Sequence, residues 1–168
     1  IVGHVFGWRT TFLAVAVMGL VAIAGIGLGI RSEAGAGIAI ASLKQRLGVV
    51  RRPAILRLLA VSLFWAIGAF TAYPYIAPYL KAVLDFGATE ISTTVSMWGL
   101  AAAIGVTVGG TLNDRFGSNR VVLSSLIALS ISFAALAVAT LLAPAEALVV
   151  ALLAIAAWGF SVWSLFPA

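Results

Sequence analysis

Five long apolar runs, separated by polar or charged stretches, dominate the chain. They extend over about residues 10–30, 54–80, 88–112, 121–142 and 144–166. A helix rises about 1.5 Å per residue, so about 20 residues cross the ~30 Å hydrocarbon layer of a membrane. The pattern therefore predicts five transmembrane helices and an all-α integral membrane protein.

The second run contains two prolines near its end, Pro74 and Pro78. Each proline removes a backbone hydrogen bond, so we expect the helix to bend or loosen there. Breaks of this kind inside a membrane generally face protein or a water-filled cavity. The flanking Tyr73 and Tyr75 could line such a cavity or belong to an aromatic belt at the membrane interface.

Helix starts are indicated at two further places. Residues 81–90 are predicted to be a short outer loop, with Thr89 capping the next helix and Glu90 beside its N-terminal dipole. Pro144 and Glu146 are predicted to lie in the first turn of the fifth helix, where a missing donor and a negative charge are both tolerated.

A charged stretch, residues 109–120, separates the third and fourth runs. Its charged side chains are Asp114, Arg115 and Arg120. They cannot enter lipid and should hold the turn at the membrane surface. Gly109 and Gly110 are predicted where the third helix ends, and Gly117 can adopt the positive φ that reverses the chain. From the residues alone, a plain stop-transfer hairpin is an open alternative to a functional loop.

Composition excludes several classes of protein. Of the 168 residues, 63% are hydrophobic and 9% are charged, and the mean hydropathy is +1.18; a soluble domain does not have these values. The chain has no cysteine and one histidine, His4, which excludes thiolate and multi-histidine metal sites. No acid pair and no nucleophile with its base lies within a run, so we expect no catalytic residues, no metal and no cofactor.

The positive charge is concentrated between the first run and the beginning of the second. Residues 31–57 carry six basic side chains and one acid, which equals the net charge of +5 of the whole chain. This positive-inside signal predicts that residues 31–53, and by alternation 113–120, are cytoplasmic. Helically spaced apolar residues in this linker predict a short amphipathic helix on the membrane surface. The partner indicated is therefore the lipid bilayer and not nucleic acid.

Two sets of residues are candidates for packing and for binding. Gly25 and Gly29, like Gly105 and Gly109, have the spacing that lets membrane helices approach closely. Either they belong to ordinary glycine-rich helices, or the protein is a non-transporting one that works through helix–helix assembly. The candidates for lining a substrate cavity are Trp65, Tyr73, Tyr75, Trp98, Trp158 and Ser161. Packing inside the bundle is the alternative for these side chains.

The charged stretch resembles the G-x-L-x-D-R-x-G-R-R loop of the major facilitator superfamily, in the copy found in the second half of those transporters. The matching residues are Gly110, Leu112, Asp114, Arg115, Gly117 and Arg120. Ser118 and Asn119 depart from the pattern.

Three further stretches extend the resemblance over the chain. Residues 7–12 resemble the start of the sixth helix of twelve-helix facilitators. Residues 73–80 resemble the end of the seventh helix in the sugar-efflux and arabinose-efflux-permease-like branch of the drug:proton antiporters, and residues 158–168 are similar to the tenth helix. Because the chain begins at Ile1 without methionine and ends directly after an apolar run, we expect it to be a piece of a longer protein.

The resemblance implies a fold and a function. Residues 1–30 would end the N-terminal six-helix half, 31–53 would form the cytoplasmic linker, and 54–168 would be the first four helices of the C-terminal half. The implied activity is proton-coupled efflux of sugars or small amphipathic drugs across a cell membrane, the bacterial inner membrane being expected. Asp114 would latch the inner gate against the dipole of the transporter's fifth helix. The implied partners are a small-molecule substrate, the bilayer and the missing helices of the same transporter.

Overall fold

The computed structural model describes residues 7–29, 42–43, 48–49 and 51–167. Its helices are α1 (Trp8–Gly29), α2 (Pro53–Ala72), α3 (Ile76–Leu84), α4 (Ala88–Phe116), α5 (Ser118–Ala139) and α6 (Pro144–Ser164). Within these residues, five stretches are long and apolar enough to cross a membrane. They are α1, the joined pair α2 and α3, and then α4, α5 and α6 individually. The predicted all-α membrane fold is thus confirmed. His4 and most of the predicted linker, with its amphipathic helix, lie outside the described residues.

The second membrane-spanning stretch is interrupted where its prolines begin. A 3₁₀ turn, Tyr73–Tyr75, with Pro74 near its start, separates α2 from α3. The missing backbone donor of proline accounts for the break, which the sequence predicted. Helix α3 then continues to Leu84 and ends at Asp85, whose φ is 52°. The predicted start of the outer loop at residue 81 is therefore wrong, because the helix retains Lys81 in its last turn.

Helix α4 begins without a side-chain cap. Gly87 occupies the N-cap position and Glu90 lies in the first turn, as predicted. The predicted cap at Thr89 is wrong, because Thr89 is already inside the helix. Its carbonyl oxygen accepts a hydrogen bond from the Thr93 hydroxyl at 2.9 Å.

The turn between α4 and α5 is much shorter than the turn predicted over residues 109–120. Helix α4 runs to Phe116, so Gly109 and Gly110 lie within it and not at its end. The chain reverses at Gly117, whose φ of 83° is the positive value that the sequence predicted. Charged side chains are compatible with a helix that extends beyond the apolar run, so the charges alone do not end α4. At the other end of α5, the chain enters α6 with Pro144 in its first turn and Glu146 nearby, as predicted.

The chain divides into two compact units, the first ending at Val61 and the second beginning at Ser62 within α2. In the first unit, the side chains described in α1 are almost all exposed, and Gly25 and Gly29 have open space around them. The second unit has a core centred on Leu80, Ile155 and Trp158, whose side chains are fully buried.

In the second unit, α6 packs against both α4 and α5. Gly105 and Gly109 of α4 lie directly against the backbone of Phe160 and Ser164 in α6. Both pairs advance by four residues, so the two helices run parallel. A side chain at either glycine would meet the neighbouring backbone, and only glycine permits this approach.

Candidate substrate cavity and inner loop

An aromatic cluster connects the helices of the second unit. The ring centroids of Tyr73 and Trp98 are 4.9 Å apart, those of Trp98 and Trp158 are 5.9 Å apart, and those of Phe133 and Trp158 are 5.1 Å apart. The spacings and the tilted or edge-on angles are those at which aromatic rings attract each other. The cluster therefore joins the 3₁₀ turn to α4, α5 and α6.

Two cavities adjoin this cluster. The larger, of about 150 Å³, is lined in part by Tyr75 and Trp158. The smaller, of about 20 Å³, is lined in part by Trp65, Tyr73 and Trp98. A cavity of about 150 Å³ is large enough for a benzene-sized ring, and one of about 20 Å³ for a single water-sized group. Each cavity is thus lined by one member of the Trp98–Trp158 pair.

The structure brings five of the six predicted cavity residues to these two walls. Ser161 is buried and lines neither cavity. The larger cavity is also lined by Tyr79, Phe133 and Leu136, which the sequence did not indicate. Tyr79 lies within residues 73–80, the stretch that carries the resemblance to a seventh helix. Nothing in the sequence indicates that Phe133 or Leu136 lines the same cavity.

The cavity walls are uncharged and almost entirely apolar. Within the described residues, no charged side chain lines either cavity. The indole N–H groups of Trp65, Trp98 and Trp158 are buried and have no hydrogen-bond partner in the described part of the chain. Buried polar groups without partners are rare in proteins and call for an acceptor or a functional role.

One tyrosine at the larger cavity joins two helices. The Tyr79 hydroxyl donates a 2.7 Å hydrogen bond to the carbonyl oxygen of Leu136 in α5. Near the end of α5, the backbone N–H of Thr140 bonds to Ala137 and not to Leu136. Tyr79 thereby satisfies a carbonyl that the end of the helix leaves available, and it fastens α3 to α5.

A buried hydroxyl pair joins α5 to α6. The Oγ atoms of Ser125 and Ser164 are 2.8 Å apart, and Ser164 donates its hydrogen to the Ser161 carbonyl oxygen. A hydroxyl has one hydrogen, so Ser125 must be the donor to Ser164.

The loop residues that match the transporter motif surround the turn between α4 and α5. Asp114, Arg115 and Arg120 are exposed, and Leu112 is half-buried. Within the described residues, Asp114 makes no ion pair, and the Arg115 guanidinium lies 5.6 Å from the centre of the Phe116 ring. Gly110 has open space around it.

Asn113 holds this turn together. Its side-chain oxygen accepts a hydrogen bond from the Ser118 hydroxyl at 2.9 Å. Its amide nitrogen donates to the carbonyl oxygen of Pro167 at 3.4 Å. The turn is therefore connected to the segment that follows α6.

The glycine pairs differ in their surroundings. Gly105 and Gly109 lie against α6 of the same chain, so this face is already occupied and is not free for assembly with a second molecule. The structure therefore gives no support to the alternative in which these glycines drive oligomerisation.

Known proteins resemble this chain over most of its length. The Major Facilitator Superfamily profile matches residues 1–168. An inner membrane transport protein of Escherichia coli K12, YdhP, is 32% identical over 67% of this chain and 28% of its own length. The MFS-type transporter YtbD of Bacillus subtilis is 28% identical over 68% of this chain and 28% of its own, and YbcL of the same organism is 24% identical over 96% and 40%.

The chain thus spans well under half the length of these relatives. No solved structure matches it. The family to which it is matched consists of transporters and not enzymes, in agreement with the sequence analysis. Since the profile matches residues 1–168, the chain is a multi-pass membrane protein of the Major Facilitator Superfamily.

Proposed function

We propose that this chain is part of a twelve-helix transporter that works by alternating access, with substrate held near the middle of the bilayer. Residues 1–30 would complete its first half, 31–53 would link the halves in the cytoplasm, and 54–168 would begin the second half. The observation that carries the proposal is the family match over residues 1–168. The charged turn and the uncharged aromatic cavities in the second unit support it.

In this proposal Asp114 closes the inner gate. It lies in the last turn of α4, where the helix dipole disfavours a carboxylate by about 0.3–1 kcal/mol. Nothing in the described part of the chain compensates for this cost by an ion pair. A carboxylate so placed suits a partner elsewhere, and we propose the N-terminus of the transporter's fifth helix. Arg115 and Arg120 would bind lipid phosphates or carboxylates at the same surface.

The substrate would be a sugar or a small amphipathic molecule, exported in exchange for protons. Aromatic walls without nearby charge suit the apolar part of such a molecule. The acidic residues of the described spans lie at helix ends, Glu90 and Glu146 in first turns and Asp114 in a last turn. The proton-coupling carboxylate would therefore belong to helices outside this chain.

The gate is tested by Asp114→Asn in the full-length transporter. Tyr75→Cys places a thiol on the wall of the larger cavity. This chain contains no cysteine of its own, and any cysteine elsewhere in the full-length transporter is first replaced by serine. Loss of about 1 kcal/mol from the closed inner gate would raise the inward-open to inward-closed ratio about fivefold. We expect cytoplasmic maleimide to label Tyr75→Cys about fivefold faster when Asp114→Asn is added.

The control for this experiment is Asn119→Ala, which alters an exposed residue of the same turn and should leave the labelling rate unchanged. Export of a panel of labelled sugars and amphipathic dyes should decrease with Asp114→Asn, while the protein still folds and reaches the membrane. An unaltered labelling rate together with unaltered export would contradict the gate.

A further inference from the structure

A third cavity, of about 280 Å³, lies where α4 begins. It shares no lining residue with the two aromatic cavities. Its polar walls come from the first turns of α4, and Glu90 carries the only charge among the residues that line it. This cavity is also larger than either of the other two, and neither the gate nor the aromatic cluster accounts for it.

The hydroxyl groups of this cavity are mostly oriented by α4 itself. The Thr93 hydroxyl donates to the carbonyl oxygen of Thr89 at 2.9 Å. The Thr94 hydroxyl donates to the carbonyl oxygen of Glu90 at 2.8 Å. Since each hydroxyl has a single hydrogen, Thr93 and Thr94 can offer a ligand only the lone pairs of their oxygens. A carboxylate is likewise an acceptor only, so of the lining polar side chains Thr89 alone retains a hydrogen to donate.

The remaining walls are apolar. Phe86, Met97 and Leu152 are half-buried and line the same space. A thioether and an aromatic ring adapt well to flat or irregular apolar groups. An engineered cavity of about 150 Å³ accepts benzene, so about 280 Å³ leaves room for a ring with a short polar group attached.

We propose that this cavity binds a small cationic amphiphile through its ammonium group. The ammonium N–H groups would donate to the Glu90 carboxylate and to the Thr93 hydroxyl oxygen, and the ring or hydrocarbon part would pack on Phe86, Met97 and Leu152. An ammonium group matches walls that have one negative charge and mainly acceptors, whereas an anion would be repelled. The site is separate from the gate and from the aromatic cavities, and its occupancy does not require transport.

Glu90 also has a simpler role, because a carboxylate in the first turn of a helix is favoured by the dipole. The chain supplies a matched case in Glu146, which lies in the first turn of α6. Glu146 is exposed and lines none of these three cavities. The two residues therefore separate an effect of the cavity from an effect of charge at a helix start.

The test is a binding titration of the full-length transporter in nanodiscs of zwitterionic lipid, which avoids cation binding to anionic headgroups. Three probes share one ring: benzylammonium, benzyltrimethylammonium and benzyl alcohol. Benzylammonium has a positive charge and N–H donors, benzyltrimethylammonium has the charge without N–H donors, and benzyl alcohol is uncharged. We expect affinity to decrease in that order.

The variants sharpen the test. Glu90→Gln keeps the size of the side chain and should weaken benzylammonium binding about tenfold, the effect of one charge-assisted hydrogen bond near a surface. Glu146→Gln should leave it unchanged. Thr93→Val should weaken benzylammonium more than benzyltrimethylammonium, since only the former donates to the hydroxyl oxygen.

Three results would overturn the proposal. Glu90→Gln could leave benzylammonium affinity unaltered, or Glu146→Gln could reduce it equally. The wild-type protein could also fail to bind benzylammonium, as expected if another segment of the full-length transporter fills the cavity. None of these results would affect the gate, which is measured by cysteine labelling at a different cavity.

Discussion

Gly109 and Gly110 are adjacent in α4, yet alanine should have opposite effects at the two positions. A Cβ atom at Gly109 would lie 2.6 Å from Cα and 2.7 Å from the carbonyl carbon of Ser164. Ordinary contact begins at 3.4 Å, so the helices would have to separate locally by about 1 Å. Both atoms belong to backbone and cannot rotate away.

The cost of this separation can be estimated. Overpacking by one methyl group typically costs about 1–3 kcal/mol. Moving Ser164 also stretches its 2.8 Å hydrogen bond to Ser125, which adds about 1 kcal/mol. At Gly110 nothing lies within 4 Å of the added Cβ, so alanine gains up to about 1 kcal/mol from helix propensity.

The assay is thermal unfolding of the full-length transporter in detergent, followed by tryptophan fluorescence. We expect Gly109→Ala to lower the melting temperature clearly, and Gly110→Ala to leave it unchanged or raise it slightly. Gly105→Ala should behave like Gly109→Ala, because its Cβ would meet the backbone of Phe160. If Gly109→Ala melted at or above the wild-type temperature, the close packing of α4 on α6 described above would be refuted.

Three further predictions concern single contacts, each measured by the same unfolding assay. Tyr79→Phe leaves the Leu136 carbonyl oxygen without its partner and should lower the free energy of unfolding by about 1–3 kcal/mol. The control is Tyr75→Phe, which alters an exposed tyrosine. Equal effects of the two substitutions would argue against the hydrogen bond. Ser164→Ala should destabilise the protein more than Ser125→Ala, since only Ser164→Ala leaves a buried donor, the Ser125 hydroxyl, without an acceptor. The reverse order would mean that Ser125 is not the donor to Ser164. Gly117→Ala forces an alanine to a φ of 83° and should cost about 1–3 kcal/mol, and a neutral effect would show that the turn can adopt another conformation.

The features that the sequence predicted well depend on local chemistry. Apolar length predicts the spans, the missing donor of Pro74 predicts a break, and the need for a positive φ predicts Gly117 as the point of reversal. Each of these follows from one residue or from one continuous run.

The errors came from treating charge as a signal for a loop. Lys81 and Arg115 both lie in the last turn of a helix, where a positive side chain is favoured by the dipole and can reach the headgroup region. The loops are consequently shorter than predicted at both ends of α4.

Contacts between distant residues could not be predicted from the sequence. Tyr79 and Leu136 are separated by 57 positions, and no periodicity connects them. The close approach of α4 to a neighbour was expected from Gly105 and Gly109, but its identity as α6 depends on the tertiary arrangement. The burial of three indole N–H groups without partners is likewise a property of the packed unit.

The position of the α4–α5 turn at the cytoplasmic surface is the claim on which the proposed orientation and gate both depend. It is measured most directly with two single-cysteine variants of the full-length transporter, Asn119→Cys at this turn and Ala88→Cys at the start of α4, both at exposed positions. A membrane-impermeant maleimide should label Ala88→Cys in intact cells, and Asn119→Cys only after the membrane is permeabilised. Labelling of Asn119→Cys in intact cells, with Ala88→Cys protected, would contradict the account.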